Sequence, residues 1–154
     1  MPRKLFTSIS ELVTNAPLAQ NNKLTDIKES DLGIMKNAWM LVENGKISDL
    51  GTGAPKEEYI ASSTITDLEG QLVIPGLVDS HTHPVFSGNR SNEFYMRLNG
   101  KTYSEIAEAG GGIQASMKLT RDATDEQLKA QTKEHLEAML SFGVTSVEAK
   151  SGYG

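Results

Sequence analysis

The alternation of apolar and polar positions in the first half of the chain predicts several short strands. Residues 4–8 alternate weakly and form the first candidate, whereas residues 9–36 are irregular and polar, so we expect no regular structure there. Two apolar runs, 39–42 and 47–50, flank Asn44-Gly45. Asn-Gly between such runs is the strongest short-range hairpin signal, because both turn positions need a positive φ. We therefore predict a hairpin here, with Trp39 in its core.

Two more elements are predicted before residue 75. After a loop at 51–55, residues 56–61 can form a single helical turn. Residues 63–67 and 71–74 then have the composition of strands, and Glu69-Gly70 between them predicts a second hairpin. Residues 1–75 are therefore expected to form a small, strand-rich unit.

The stretch 73–83, VIPGLVDSHTH, predicts a short buried strand that ends in two histidines. Pro75 suits the first position of a strand, and Pro84 stops the strand after the second histidine. Side chains alternate between the faces of a strand, so His81 and His83 are expected on the same side. Asp79 shares their parity and is a candidate acceptor for one of the rings, although a structural role near the start of the strand fits it equally well.

Beyond this strand the pattern becomes helical. Residues 84–97 are predicted to be a loop, and residues 103–109 a short helix that ends at Gly110-Gly111-Gly112. Thr124 with Gln127 predicts a capping box at the start of the next helix, and Gly143 predicts its end. His135, in the middle of that helix, is expected to be a partly exposed helix residue rather than a ligand. Residues 144–149 predict a buried strand, parallel to the first, in a βαβ unit.

Composition places the chain among globular proteins and excludes some partners. Of its 154 residues, 38% are hydrophobic and 23% charged, and the net charge of −5 argues against nucleic acid or an anionic membrane as partner. No apolar run is long enough to span a membrane, and we see no signal peptide. The absence of cysteine excludes thiolate metal sites and suits a cytoplasmic protein.

The paired histidines are the main candidate for chemistry. Two neutral imidazoles on one face, one residue apart, can share a metal ion as nitrogen ligands. A bare His-X-His is more often a surface pair or a satisfied core pair, so the spacing alone leaves both interpretations open. The Pro-Gly entry and the position of the pair at the end of an apolar strand favour the metal site.

The sequence resembles a known family in several stretches. Residues 75–83 (PGLVDSHTH) are similar to the first barrel strand of the amidohydrolase superfamily. Further stretches resemble the imidazolonepropionase family: 81–90 (HTHPVFSGNR), 92–94 (NEF), 97–98 (RL), 103–106 (YSEI), 109–113 (AGGGI) and 140–154 (LSFGVTSVEAKSGYG). The resemblance is strong from about residue 68 onward, and before that it extends only to the general layout.

The resemblance implies an α/β fold. Residues 1–75 would be the N-terminal part of a composite β-sandwich built from both chain ends, and residues 76–154 the first βαβ portion of a metal-dependent (β/α)8 TIM barrel. Two parallel strands cannot close such a barrel, which needs roughly 250 residues. We therefore expect the chain to be the truncated, N-terminal portion of a larger enzyme.

The resemblance also implies a site. One divalent ion, zinc or iron, would be held by His81 and His83, and the substrate would be contacted by Arg90 and Tyr153. The family's remaining metal ligands and its catalytic histidine and glutamate have no counterpart here and are expected beyond Gly154. This portion would then contain no catalytic residue and would be inactive alone.

The implied reaction is hydrolysis of the cyclic amide of 4-imidazolone-5-propanoate to N-formimidoyl-L-glutamate, in histidine degradation. The resemblance further suggests a homodimer for the full-length enzyme. Two alternatives stay open from the residues themselves. One is another amidohydrolase, such as a nucleobase aminohydrolase, and the other is a non-catalytic structural fragment.

Overall fold

The protein is described by a computed structural model that covers residues 3–22 and 25–152. The chain divides into two units, Met1–Pro75 and Gly76–Gly154. In these described ranges, no helix is both long enough and apolar enough to cross a membrane.

The first unit is built on one mixed sheet. Its elements are β1 (Arg3–Val13), α1 (Ala16–Asn21), a 3₁₀ turn (Glu29–Leu32), β2 (Ile34–Glu43), β3 (Lys46–Thr52), α2 (Glu57–Ser62), β4 (Thr64–Asp67) and β5 (Leu72–Val73). The strand order is β3-β2-β1-β4, and β5 also pairs with β1. β1 is antiparallel to β2 and parallel to β4 and β5.

The predicted hairpin at Asn44-Gly45 is confirmed. β2 and β3 are antiparallel, and their turn residues have φ angles of 55° at Asn44 and 76° at Gly45. Trp39 is 6% exposed and packs edge-on against Tyr59 of α2, with ring centroids 5.7 Å apart, beside buried Leu5 and Leu41. The helical turn predicted over residues 56–61 is also present, as α2.

The expectation that residues 9–36 lack regular structure is wrong. β1 continues through Ile9 and Leu12, which are 0% and 4% exposed, to Val13. The register against β2 shifts between Phe6 and Ile9, and Ser8 has a φ of 54°. A bulge of this kind changes which face each later side chain occupies. The alternation therefore breaks at the bulge, although the strand itself continues.

The predicted hairpin across residues 63–74 is also wrong. β4 and β5 do not pair with each other; both extend alongside β1. A turn does occur at Glu69 and Gly70, with φ angles of 51° and 82°. The Gly70 N–H donates to the Ser8 carbonyl at 2.7 Å, so the turn is anchored to the bulge of β1. Turn chemistry identified the bend but not the partner of its flanking strands.

The second unit contains a parallel strand pair and four helices in its described part. Its elements are β6 (Leu77–Thr82), α3 (Ser91–Leu98), α4 (Tyr103–Glu108), α5 (Ile113–Asp122), α6 (Asp125–Ser141) and β7 (Val144–Ala149). β6 and β7 pair in parallel, as the predicted βαβ unit requires. The capping box of Thr124 with Gln127 is confirmed, and Gly143, with a φ of 88°, follows the end of α6.

Two expectations for this unit fail, and one helix was not predicted. Residues 91–98 are helical rather than loop, because the Asn89 side chain accepts the Ser91 N–H and so organises the first turn of α3. α5 was not predicted. β6 is not buried, since Leu77 is 48% and Val78 70% exposed. Within the described residues β6 pairs with β7 alone, and a two-stranded sheet leaves the outer edge of each strand uncovered.

Candidate metal and substrate site

The two histidine rings lie side by side at the C-terminal end of β6. Their centroids are 5.3 Å apart and their planes meet at 81°. Thr82, between them, keeps the strand in register with β7, since its carbonyl accepts the Lys150 N–H at 2.9 Å. The two rings therefore lie together, as expected, although the β6–β7 register shifts between Asp79 and Thr82.

The segment after β7 sets the orientation of the His83 ring. Its Nδ1 lies 3.2 Å from the carbonyl oxygen of Lys150. A carbonyl can only accept, so Nδ1 donates the proton and the ring lone pair is on Nε2. A Cβ added at Gly152 would lie 2.4 Å from the same Nδ1, so only glycine lets the backbone pass this close. Metal-binding histidines commonly hold their tautomer by such a bond to a carbonyl.

The spacing of the rings fits two ligands of one ion. Zn–N bonds of about 2.0–2.1 Å at a tetrahedral angle place two imidazole centroids roughly 5.2 Å apart. The observed 5.3 Å agrees with that separation. Neutral imidazole nitrogen suits both zinc and iron. Within residues 3–22 and 25–152, no group of three or more histidine or carboxylate side chains is placed to hold a metal ion, so the pair by itself could supply only two ligands.

Asp79 acts on the main chain of this strand. Its Oδ1 accepts the backbone N–H of His81 at 3.1 Å. The donor in this bond is thus a backbone N–H and not an imidazole, which fits a structural role for Asp79. The carboxylate instead supports the backbone at the exit of β6.

The residues that follow His83, here called the connecting segment (84–90), are held by α6 at their start. The His135 Nδ1 lies 3.0 Å from the carbonyl oxygen of buried Pro84. The His135 ring also stacks on Phe86, with centroids 4.5 Å apart and planes within 14°. His135 is thus a partly exposed helix residue, as expected, and it also contacts the connecting segment. Its spacing within α6 gave no signal of this, because the partners lie about fifty residues earlier in the chain.

α5 holds the middle of the connecting segment. The Ser87 N–H donates to the Thr120 hydroxyl at 3.2 Å, and that hydroxyl donates to the Ser116 carbonyl at 2.7 Å. Thr120 is 6% exposed, the one buried polar residue of the described chain. Gly88 has a φ of 79°, and a Cβ there would lie 2.6 Å from Leu119. Neither contact with α5 was predicted, because α5 itself was not predicted.

Arg90, at the end of the connecting segment, is paired with Glu93. Its Nε donates to Glu93 Oε2 at 2.8 Å and its Nη2 donates to the same oxygen. The other carboxylate oxygen accepts the Gly112 N–H at 2.8 Å. The Arg90 guanidinium, followed by the Gly112 N–H, holds the pKa of the Glu93 carboxyl below its ordinary value, against the opposing effect of desolvation. Glu93 therefore orients Arg90 while ionised.

A cavity of 310 Å³ lies between the connecting segment and α5. Residues 86–90 form one wall, including Arg90, and Ser116 and Leu119 form the other. A guanidinium beside serine hydroxyls is a suitable environment for a small carboxylate. The second predicted substrate residue, Tyr153, lies outside the described residues.

Comparison with known proteins gives relatives along nearly the whole chain. No family model matches it. It is 47% identical over 157 residues to an imidazolonepropionase of Geobacillus sp. (strain WCH70), covering 99% of this chain and 37% of that protein. It is 45% identical over 148 residues to one from Fusobacterium nucleatum, covering 96% of this chain and 35% of that protein. The chain thus spans about a third of the length of these relatives, and the resemblance predicted from the motifs is confirmed.

Two solved structures have similar folds. A triazine hydrolase variant matches with a TM-score of 0.58 at 19% identity, over 97% of this chain and 28% of that one. Guanine deaminase from C. acetobutylicum matches with a TM-score of 0.50 at 21% identity, over 94% of this chain and 29% of that one. At these identities the likeness concerns the fold alone, which is α/β as predicted.

Proposed function

We propose, from the premise that this chain is homologous to the imidazolonepropionases, that the protein carrying it hydrolyses 4-imidazolone-5-propanoate to N-formimidoyl-L-glutamate. The observation that carries the proposal is the pair of imidazole rings of His81 and His83 at the C-terminal end of β6, whose centroids are 5.3 Å apart. They lie in a sequence that is 45% identical to one of those enzymes. The reaction would open the cyclic amide during histidine degradation.

His81 and His83 would hold the divalent ion, zinc or iron, together with ligands from outside these residues. Such an ion, when bound, polarises a carbonyl and makes water a stronger acid. The chain's own contribution is orientation. The hydrogen bond from His83 Nδ1 to the Lys150 carbonyl keeps Nε2 as the ligand atom.

Arg90 would bind the propionate carboxylate, and Tyr153 would supply a second substrate contact. Glu93 accepts from Nε and Nη2 and so fixes the plane of the guanidinium. A planar guanidinium in a fixed orientation recognises a carboxylate with two parallel hydrogen bonds. The cavity beside Arg90 is large enough for a three-carbon acid arm.

β6 and β7 would be the first two strands of the (β/α)8 barrel, whose active sites lie at the C-terminal ends of the strands. His81 is the penultimate residue of β6, His83 follows the end of β6, and Gly152 follows the end of β7. Residues 1–75 would contribute to a composite β-sandwich. A homodimer in the cytoplasm remains the prediction for the full-length enzyme, and light scattering would measure its mass.

The test uses the full protein that carries this sequence, with decay of the imidazolone chromophore as the assay. We expect turnover. We expect Arg90→Ala to raise the KM about tenfold to a hundredfold, because the variant loses the charged hydrogen bonds to the substrate carboxylate. Arg121→Ala, at an exposed arginine of α5, is the matched control and should leave the KM unchanged. Turnover of a neutral nucleobase, unaffected by Arg90→Ala, would instead indicate an aminohydrolase. Purified protein with neither metal nor activity would indicate a structural role.

A further inference from the structure

His135 has no role in the proposed chemistry, yet it makes two specific contacts with the connecting segment. The Pro84 carbonyl that it contacts belongs to the residue directly after His83. Pro84 is buried, so its carbonyl needs a partner within the protein. Because that carbonyl can only accept, His135 Nδ1 is the donor.

The stack on Phe86 constrains the segment in a second direction. The hydrogen bond lies in the plane of the imidazole, whereas the ring of Phe86 lies 4.5 Å away on its face, tilted by 14°. Together the two contacts fix position both along the ring plane and perpendicular to it. Neither contact alone would do both.

The two ends of the connecting segment have functional candidates. His83 precedes it and Arg90 ends it, and the residues between them form neither helix nor strand. Irregular backbone has no regular hydrogen-bond ladder, so its position depends on side-chain anchors. Displacement of reactive groups by about 1 Å costs catalysis heavily. An anchor near Pro84 therefore affects both ends.

We propose that His135 is a positioning residue, which holds the connecting segment by its bond to the Pro84 carbonyl and its stack on Phe86 and so fixes His83 and Arg90 relative to each other. This inference rests on the proposed function, since it assigns the purpose of the anchor to metal and substrate binding.

Three variants of the full protein separate the contacts. His135→Asn keeps a donor near the Nδ1 position without the ring, His135→Phe keeps the stack without the donor, and His135→Leu removes both. Met139→Ala is the matched control, because Met139 is half-buried one turn further on the same face of α6 and its thioether cannot replace the donor. The readouts are the KM and kcat, the zinc dissociation constant, and amide exchange at residues 85–90.

We expect His135→Phe to raise both the KM and the zinc dissociation constant about threefold to tenfold, the usual effect of one lost hydrogen bond. His135→Leu should exceed it, and His135→Asn should stay within about threefold of wild type. Exchange should accelerate at residues 85–90 in the same order. Met139→Ala should lower the melting temperature without moving any of these values.

The proposal is overturned if His135→Leu matches Met139→Ala in KM, zinc affinity and exchange. If the wild-type protein does not turn over the imidazolone at all, the proposed function fails separately. Zinc affinity and amide exchange then still decide whether His135 positions the segment.

Discussion

Replacing Thr120 with valine should release the middle of the connecting segment from α5 without creating a cavity. The Thr120 hydroxyl accepts the Ser87 N–H at 3.2 Å in a position only 6% exposed. Valine has nearly the same shape but cannot accept a hydrogen bond, so the partly buried Ser87 N–H loses its partner. One lost bond plus an unsatisfied donor costs about 1–2 kcal/mol.

That cost is measured most directly by amide exchange at Ser87 in the full protein. If local opening governs exchange there, about 1–2 kcal/mol corresponds to roughly fivefold to thirtyfold faster exchange. Thr120→Ser is the matched control, because it keeps the hydroxyl and removes only a methyl group. Unchanged exchange at Ser87 in Thr120→Val, or a larger acceleration in Thr120→Ser, would refute the reasoning.

Two further predictions concern other parts of the second unit. Gly152→Ala should weaken zinc binding measured by chelator competition, because its Cβ would lie 2.4 Å from His83 Nδ1. Gly100→Ala should strain the backbone, because φ is 82° there, but it should leave zinc binding unchanged, because its Cβ would meet no atom within 4 Å. Glu105, whose pKa is lowered from 4.5 to about 2 chiefly by the Thr102 N–H, stabilises the fold while ionised. That stabilisation is complete above pH 4.5 and is lost as the pH falls toward 2. NMR titration of the Glu105 carboxyl would measure its pKa, and the pH dependence of the unfolding free energy in wild type and Glu105→Gln would measure the stabilisation. A Glu105 midpoint near 4.5 would contradict it.

Local signals predicted the elements whose determinants are local. The capping box at Thr124 and the Asn44-Gly45 turn depend on residues within four positions, and both are present. The rings of His81 and His83, one residue apart in the sequence, also lie together as predicted, although the register of β6 shifts between Asp79 and Thr82. These are the features for which sequence spacing and spatial proximity coincide.

The failures have a common physical reason. The bulge at Ser8 reverses the alternation of β1, and the parallel pairing of β4 and β5 with β1 depends on a distant strand rather than a turn. The contacts of His135 with Pro84 and of Thr120 with Ser87 join residues 51 and 33 positions apart. No local pattern contains such contacts, so the anchors of the site became visible only in the structure.

The central claim is that two imidazoles at the end of β6 bind one metal ion. The direct measurement is the metal content of the full protein after purification and dialysis, compared among wild type, His81→Ala, His83→Ala and the double variant. Met139→Ala is the control, because it substitutes a half-buried residue of α6 that we expect to leave zinc affinity unchanged. We expect about one zinc or iron per chain in wild type and control, and almost none in the double variant. Metal retained at one per chain after loss of both rings would contradict the account.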